Sequence, residues 1–150
     1  MHLSTMHPST LLANQYLQKG LLGACVESFG LTNQVLTLTF RDGNTDDHCL
    51  WIETAVSANT TTFDDLSIDA TARALLFFNS VNLQEVTAIS CTDEGDLDIQ
   101  FANNIKLKLD GSGDEYGEPW QFNLSFYDYD VSIIASEGGY LVFDSRDKPA

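Results

Sequence analysis

Apolar and polar residues alternate in three short segments of this chain. In residues 36–40 the large apolar side chains fall on one face and threonines on the other, while residues 96–101 and 105–109 carry acids and bases on their polar faces. Such alternation is typical of a β-strand that buries one face and exposes the other. The pattern therefore predicts three half-buried strands, two of which follow each other directly in the chain.

These two consecutive strands can be aligned with each other. A three-residue loop at 102–104 pairs Phe101 with Ile105, keeps the apolar side chains on one face and sets Asp98 opposite Lys108. A two-residue loop would instead place a lysine opposite Phe101. The sequence therefore predicts a hairpin with a three-residue loop, in which an asparagine takes the left-handed conformation.

Two segments favour helices. Residues 11–19 follow a proline and contain apolar pairs at i,i+4 spacing, and Gly20 comes next, which predicts a short helix that ends at a glycine C-cap. Residues 69–79 are rich in alanine and leucine, and either Ser67 or Asp69 can cap the first turn. We expect both helices to cover a sheet.

The chain also contains an internal similarity. Residues 36–44 resemble residues 97–104, and each segment follows a valine-containing strand, so that residues 20–66 and 79–145 form a pseudo-repeat. Short strands separated by turns, together with two helices, predict an α+β fold with mainly antiparallel β structure. We expect a twisted sheet or partial barrel built from two similar halves, with two short covering helices.

Composition is compatible with a single folded unit. The chain has 150 residues, of which 43% are hydrophobic and 11% aromatic. A chain of this length can bury a substantial core. We expect one domain over residues 1–150, with flexible ends at residues 1–8 and 146–150.

Charge narrows the class of partner. The chain has 22 acidic and 7 basic residues, a formal net charge of −15. Nucleic-acid binding needs clustered Lys and Arg to displace counterions, and an anionic membrane surface would repel this chain. No segment approaches the roughly 20 apolar residues of a membrane-spanning helix, and the first residues do not form a secretory signal. We therefore expect a cytoplasmic protein with neither a nucleic-acid nor a membrane partner.

Residues suited to catalysis or metal binding are few. Cys25, Cys49 and Cys91 are too far apart for CxxC chemistry and are predicted to be free, buried thiols. His48 is the single histidine outside the N-terminal segment, and the chain has no nucleophile elbow, HExxH motif or phosphate-binding loop. We expect no enzymatic activity, no metal and no cofactor. A hydrolase that uses two carboxylates remains open, because acids are abundant.

The glycine-rich acidic loop at residues 110–118 matches a calcium site in part. Asp110, Ser112 and Asp114 occupy the first three ligand offsets of an EF-hand loop. Glu115 stands where the glycine belongs, and a glutamine stands where the bidentate glutamate belongs. We favour a solvated hairpin loop, and a cation site here stays open.

A second segment places two tyrosines and two aspartates between apolar strands. If the segment is a turn, it presents Tyr127, Asp128, Tyr129 and Asp130 at its tip. A tyrosine supplies rigid apolar area to an interface, and an aspartate beside it can pair with Arg or Lys of a partner. The alternative is that one of the tyrosines packs back on the sheet.

Six segments resemble a family of small bacterial proteins, and they occur in the same order along the chain. The family pattern contains LLG…V, lrIEt, YEAW and PGG elements, and the resembling segments here are residues 21–26, 36–44, 50–54, 97–104, 116–120 and 137–143. Members of this family are regarded as immunity proteins of bacterial toxin systems, including contact-dependent growth inhibition. The resemblance implies a protein that binds and neutralises a cognate toxin domain.

Four residues of the family pattern match individually. Glu118 and Trp120 match its Glu-Trp pair, although Pro119 stands where the family has alanine, and Gly138 and Gly139 match its two glycines after a glutamate that replaces proline. We interpret the matches as structural. Glu118 and Trp120 would share one face of a strand, and the glycines would permit a tight turn.

The resemblance and the negative charge together favour an immunity protein that binds a basic toxin domain. A nuclease fits best, because its cationic cleft attracts an acidic partner. The predicted toxin-binding residues are Asp114, Glu115, Tyr116, Tyr127, Asp128, Tyr129 and Asp130. The alternative is a regulatory or small-ligand-binding module whose acidity serves solubility, and a pocket around Trp51 and Trp120 would be its sign.

Overall fold

The computed structural model describes residues 6–44, 46–112, 118–136 and 138–147. Within them the chain forms two helices, α1 (Pro8–Leu21) and α2 (Ala70–Val81). The ten strands of the same residues are, in chain order, β1 (Cys25–Thr32), β2 (Val35–Arg41), β3 (Asp47–Ile52), β4 (Val56–Ala58), β5 (Val86–Cys91), β6 (Leu97–Phe101), β7 (Lys106–Leu109), β8 (Trp120–Ser125), β9 (Asp130–Ser136) and β10 (Gly139–Asp144).

The strands form two sheets in which the neighbours run antiparallel. The six-stranded sheet has the order β1-β2-β3-β8-β9-β10, and the four-stranded sheet has the order β4-β7-β6-β5. The predicted α+β fold with mainly antiparallel strands and two short helices is therefore confirmed. Over the described residues the sheets stay open, so of the two predicted forms the structure has twisted sheets and not a barrel.

The two similar halves follow the same path. Each begins with a helix and continues into a three-stranded meander, α1-β1-β2-β3 in the first half and α2-β5-β6-β7 in the second. The next strand of each half joins the sheet of the other half, because β4 pairs with β7 and β8 pairs with β3. The molecule thus consists of two similar units that exchange one strand, and β9 and β10 extend the six-stranded sheet.

The correspondence between the halves extends to individual residues. In the first half Val26 pairs with Phe40, and a β-bulge follows Val26. In the second half Val86 pairs with Phe101, and a bulge follows Val86. A bulge inserts an extra residue and bends its strand, so both meanders bend at equivalent places.

The halves meet where each helix leads into its first strand. The N–H of Gly23 donates to the carbonyl of Val86 (3.0 Å), and the N–H of Leu83 donates to the carbonyl of Val26 (2.8 Å). Both donors have left-handed backbones, with φ of 86° at Gly23 and 65° at Leu83. These two bonds are reciprocal, because each joins the helix end of one half to the first strand of the other.

Helix α1 differs from its prediction at both ends. It begins at Pro8, and the ring of His7 caps it by accepting the N–H of Ser9 (3.1 Å). The His7 N–H also donates to Asp93 (3.1 Å), so the chain is attached here, within the end that was expected to be flexible. Gly20 lies inside the helix and is not its C-cap.

Gly20 instead allows a close approach between α1 and the loop after β8. A Cβ atom on Gly20 would lie 3.4 Å from the Phe126 ring. The glycine with the left-handed backbone is Gly23, beyond the helix end at Leu21. The sequence prediction therefore identified the wrong glycine as the terminator.

Two other local predictions are confirmed. Asp69 caps α2, because its carboxylate accepts the N–H of Ala72 (2.7 Å). The β6–β7 hairpin has the predicted register, with Asp98 opposite Lys108, and Asn104 takes the left-handed conformation with φ of 68°.

The core combines the inward faces of both sheets with one side of each helix. Its apolar side chains form one cluster, and the largest fully buried members are Trp120, Phe40, Phe78, Phe101 and Phe122. The two sheets therefore pack on one shared core.

Candidate functional site

The loop between β8 and β9 is the turn that the sequence predicted. The N–H of Phe126 donates to the carbonyl of Tyr129 (2.8 Å) and closes the loop. Tyr127 is 98% exposed at its tip, whereas Tyr129 is 8% exposed. Tyr127 is therefore presented to solvent as predicted, and the expectation of an exposed Tyr129 is wrong.

Tyr129 is buried because three side chains enclose it, two of which are distant in the sequence. Its ring stacks on Phe126 at 4.9 Å between centroids, and the Arg146 guanidinium lies 3.5 Å from the ring centroid on a cation–π contact. The ammonium of Lys19 donates to the Tyr129 hydroxyl. Arg146 is thus held in place, although it belongs to the end that was expected to be flexible.

Arg146 is itself fixed by a carboxylate. Two guanidinium nitrogens donate to Asp144, the closer at 2.6 Å, and the Tyr16 hydroxyl donates to the same carboxylate (2.8 Å). Hydrogen bonds from Arg146 lower the pKa of Asp144 far below its usual range, burial opposes them, and Tyr16 adds to the lowering. This network connects α1 and β10 to the base of the Tyr127 loop.

The loop between β2 and β3 is organised around Asp42. Its carboxylate accepts the N–H groups of Asn44 (2.8 Å) and Asp46 (3.1 Å) and lies 2.9 Å from His48 Nε2. Burial raises the pKa of Asp42, but the bonds from His48 and the two amides outweigh burial and lower it. Ser125 N–H donates to His48 Nδ1 (3.1 Å), so the ring proton lies on Nε2 and both ring nitrogens of this fully buried histidine are engaged.

These two loops enclose an open cleft of about 610 Å³, which we call the acidic cleft. Its lining residues are Lys19, Asp42, Asn44, Asp46, Phe126, Tyr127, Asp128 and Tyr129. Three carboxylates face one ammonium, and that ammonium is bonded to the Tyr129 hydroxyl. The cleft therefore combines net negative charge with an aromatic wall, which suits an Arg or Lys side chain.

The predicted binding residues do not all belong to this cleft. Asp128 is exposed in its wall, and Asp130 is exposed nearby at the start of β9. Asp114, Glu115 and Tyr116 lie outside the described residues.

The sequence reasoning missed two acids of the cleft. Asp42 and Asp46 come from the β2–β3 loop, and the pairing of β3 with β8 brings that loop beside Tyr127. The available signal was the turn sequence Asp-Gly-Asn at residues 42–44 after an alternating strand.

The matched pair Glu118 and Trp120 differs from its prediction. Trp120 is 1% exposed, and its indole N–H donates to the carbonyl of Gly95 (2.8 Å). Glu118 is exposed and precedes β8, so the two do not share a face of one strand. Trp120 is structural, as predicted.

The two matched glycines do form a turn, between β9 and β10. Gly138 has φ of 85° and Gly139 has φ of 155°, which other residues rarely adopt. A Cβ atom on Gly139 would lie 3.0 Å from the hydroxyl of Ser9, which accepts the N–H of Tyr140 (3.1 Å). The turn therefore packs against Ser9 at the start of α1.

A second cavity lies on the six-stranded sheet and contains both tryptophans. Its volume is about 230 Å³, and we call it the tryptophan cavity. The residues that line it are Val35, Trp51, Glu53, Glu118, Trp120, Gln121 and Ile134. This is the pocket that the sequence analysis named as the sign of a ligand-binding module.

The cysteines are all free, but only one is fully buried. Burial raises the pKa of the Cys91 thiol to about 11. Cys25 and Cys49 are half-buried, which corrects their predicted burial. The described residues contain no group of three His, Cys, Asp or Glu side chains that could hold a metal.

The glycine-rich acidic loop at residues 110–118 lies partly outside the described residues. Within its described part, Asp110 accepts the N–H and the hydroxyl of Ser112 (2.9 and 2.8 Å). Both bonds lower the pKa of Asp110. Asp114 and Glu115 belong to the undescribed part.

No protein-family model matches the chain, and no curated protein or solved structure is significantly similar to it. The resemblance to immunity proteins therefore stays a prediction. Among the described residues, neither helix has the length and apolar character needed to cross a membrane.

Proposed function

We propose that this chain is a cytoplasmic immunity protein that neutralises a basic toxin domain by binding it at the acidic cleft. One observation carries the proposal. Tyr127 is 98% exposed at the tip of a braced loop, beside the carboxylates of Asp42, Asp46 and Asp128.

This arrangement has the features of an interface anchor. An exposed tyrosine offers a large area at a low cost in side-chain entropy, and anchors of this type dominate binding energies. The loop beneath Tyr127 is held by Phe126, Tyr129 and Arg146, so little ordering is needed when a partner binds.

The charge of the chain favours a cationic partner. A net charge of −15 speeds association with a basic domain and disfavours polyanions. A nuclease is the toxin class that we name, because a carboxylate surface can occupy the cleft that otherwise holds nucleic acid. The proposal gives the chain no catalytic role.

Affinity measurements with charge variants test this proposal. The chain would be co-purified with the toxin encoded beside its gene and titrated by calorimetry at low and moderate salt. Asp46→Asn and Asp128→Asn should each weaken binding by roughly tenfold, since a charged interface pair can contribute about 1.5 kcal/mol or more.

The matched control is Asp65→Asn, which removes the same charge from an exposed site before α2. It should change the affinity by less than about twofold. Absence of binding at both salt concentrations would refute the proposal. Equal losses of affinity for all three variants would show that the toxin does not bind at the acidic cleft.

A second candidate function is a small-ligand-binding module. It is favoured by the tryptophan cavity, in which the half-buried Trp51 is accompanied by Glu53 and Glu118. A shift of tryptophan fluorescence with a small ligand, in a chain that binds no toxin, would support this candidate over the first.

A further inference from the structure

The tryptophan cavity lies on the face of the six-stranded sheet that points away from the core. Trp51 pairs with Gln121, and Gln121 pairs with Ile134, so these side chains form one row across β3, β8 and β9. The next residues on this face are open to solvent, with Leu141 49% and Phe143 57% exposed.

Two acidic residues lie beside this row, one just after the end of β3 and the other just before the start of β8. Glu53 and Glu118 both line the cavity, and the N–H of Glu53 donates to the carbonyl of Pro119 (2.9 Å), which holds the two acid-bearing segments side by side. Within the described part of the chain, neither carboxylate makes an ion pair or a side-chain hydrogen bond.

Other acids on the two sheets already have cations. Glu27 and Asp47 share Arg41, with closest distances of 2.6 and 3.2 Å. Asp96 lies 3.7 Å from Lys108. The tryptophan cavity differs from these sites because two acidic residues and an indole ring line it, whereas no Lys or Arg is among its described lining residues.

We propose that the tryptophan cavity binds an organic cation, an alkylammonium or guanidinium group. The charged group lies between Glu53 and Glu118, and its apolar stem packs on Trp51 and Ile134. A cation is attracted both by the carboxylates and by the face of an indole ring, and the sheet supplies the apolar surface that the stem requires.

The size of the cavity selects a small group. Its volume of about 230 Å³ is below the roughly 300 Å³ at which pockets for drug-sized ligands begin. A stem of four carbons with one cationic head fits this limit. The same chemistry is offered by a free amine and by a Lys or Arg side chain of a protein.

This inference rests on the second candidate function and is independent of toxin binding. The acidic cleft lies beyond the other end of β8, about 20 Å away along the strand. Failure of one site therefore leaves the other to be tested separately.

Tryptophan fluorescence provides the test, with n-butylammonium and butylguanidinium as probes and n-butanol as the neutral control. A tetrapeptide with one internal lysine, blocked at both ends, distinguishes a partner side chain from a free amine. Trp51 is half-buried while Trp120 is 1% exposed, so Trp51 should carry the signal and Trp51→Phe should remove it.

We expect saturable binding of both cations. Glu53→Gln and Glu118→Gln should each weaken it by about two- to fivefold, as expected for partly exposed ion pairs. Asp65→Asn is the control, because it neutralises an exposed acid that does not line the cavity. Circular dichroism confirms that each variant is folded.

Each outcome has one interpretation. Binding of the free cations supports a free-amine site, and binding of the peptide alone supports a partner's side chain. An equal response to butanol and butylammonium, or unchanged affinity in both glutamine variants, would overturn the proposal.

Discussion

The outward faces of the two sheets differ, although their inward faces are built alike. On the four-stranded sheet, Lys108 stands opposite Asp98 and Lys106 opposite Gln100, so the surface is polar and its charges are partly paired. On the six-stranded sheet, Trp51 and Phe143 are among the side chains that remain partly or largely exposed.

This difference between the faces distinguishes residues that stabilise the fold from residues that are available to bind a partner. The inward pairs of Val26 with Phe40 and of Val86 with Phe101 occur in both halves and are buried. The apolar outward face, the acidic cleft and the exposed Tyr127 belong instead to the six-stranded sheet and its loops. Apolar side chains that stay exposed do not stabilise the core, so a surface that groups them is a candidate for binding.

The largest expected effect tests whether the two inward faces are equivalent. Phe40 and Phe101 are both fully buried. Replacing either with alanine removes apolar contacts and leaves a cavity, so each variant should lose about 3–5 kcal/mol of unfolding free energy in urea denaturation. A loss below about 1 kcal/mol at one position would show that the two halves are not equivalent.

A second test concerns a close contact at the edge of the four-stranded sheet, between the β5–β6 turn and the residues that follow β7. A Cβ atom on Gly111 would lie 2.1 Å from the carbonyl oxygen of Glu94. Gly111→Ala should therefore cost about 1–3 kcal/mol of unfolding free energy. Gly30→Ala is the control, because a Cβ there meets nothing within 4 Å, and a larger loss at Gly30 would contradict this assignment.

Substitutions at the two equivalent helix ends should change the unfolding free energy in opposite directions and by smaller amounts. Gly23 and Leu83 both have left-handed backbones, and Leu83 is 70% exposed. A Cβ atom is strained there, so Leu83→Gly should gain about 1 kcal/mol and Gly23→Ala should lose about 1 kcal/mol in thermal or urea unfolding. Destabilisation by Leu83→Gly would mean that the contacts of the leucine side chain stabilise the fold by more than the left-handed backbone destabilises it.

The smallest effect concerns pH and the network beneath Tyr127. The pKa of Asp144 is lowered in the folded state, so its ionised form stabilises the fold above the unfolded value of about 4 and this contribution is lost as pH falls through the folded pKa. Asp144→Asn should lower the Tm at pH 7, and the difference should shrink below about pH 4. Asp65→Asn is the control, and a pH-independent difference for Asp144→Asn would contradict the linkage.

Local features of the fold were predictable from the sequence. The hairpin register followed because only a three-residue loop keeps Phe101 and Ile105 on the same face. The exchange of strands was not predictable, since β4 has three residues, Val56–Ala58, and is too short to show a period. Its pairing depends on the tertiary structure.

The candidate site was predictable only where it is contiguous in sequence. Tyr127 and Asp128 stand in one turn and were identified. Asp42 joins them only because β3 pairs with β8. Tyr129 is buried by Arg146 and Lys19, which lie far from it in sequence, and alternation along the chain carries no information about such contacts.

The central claim is that Tyr127 anchors a basic toxin domain. Its most direct test is the dissociation constant of the complex for Tyr127→Ala, compared with Leu66→Ala, which truncates an apolar side chain that is 45% exposed elsewhere. We predict that Tyr127→Ala weakens binding by about 30-fold or more, equivalent to about 2 kcal/mol, with an unchanged Tm and no effect of Leu66→Ala. Equal affinities for the parent chain and Tyr127→Ala would contradict the account.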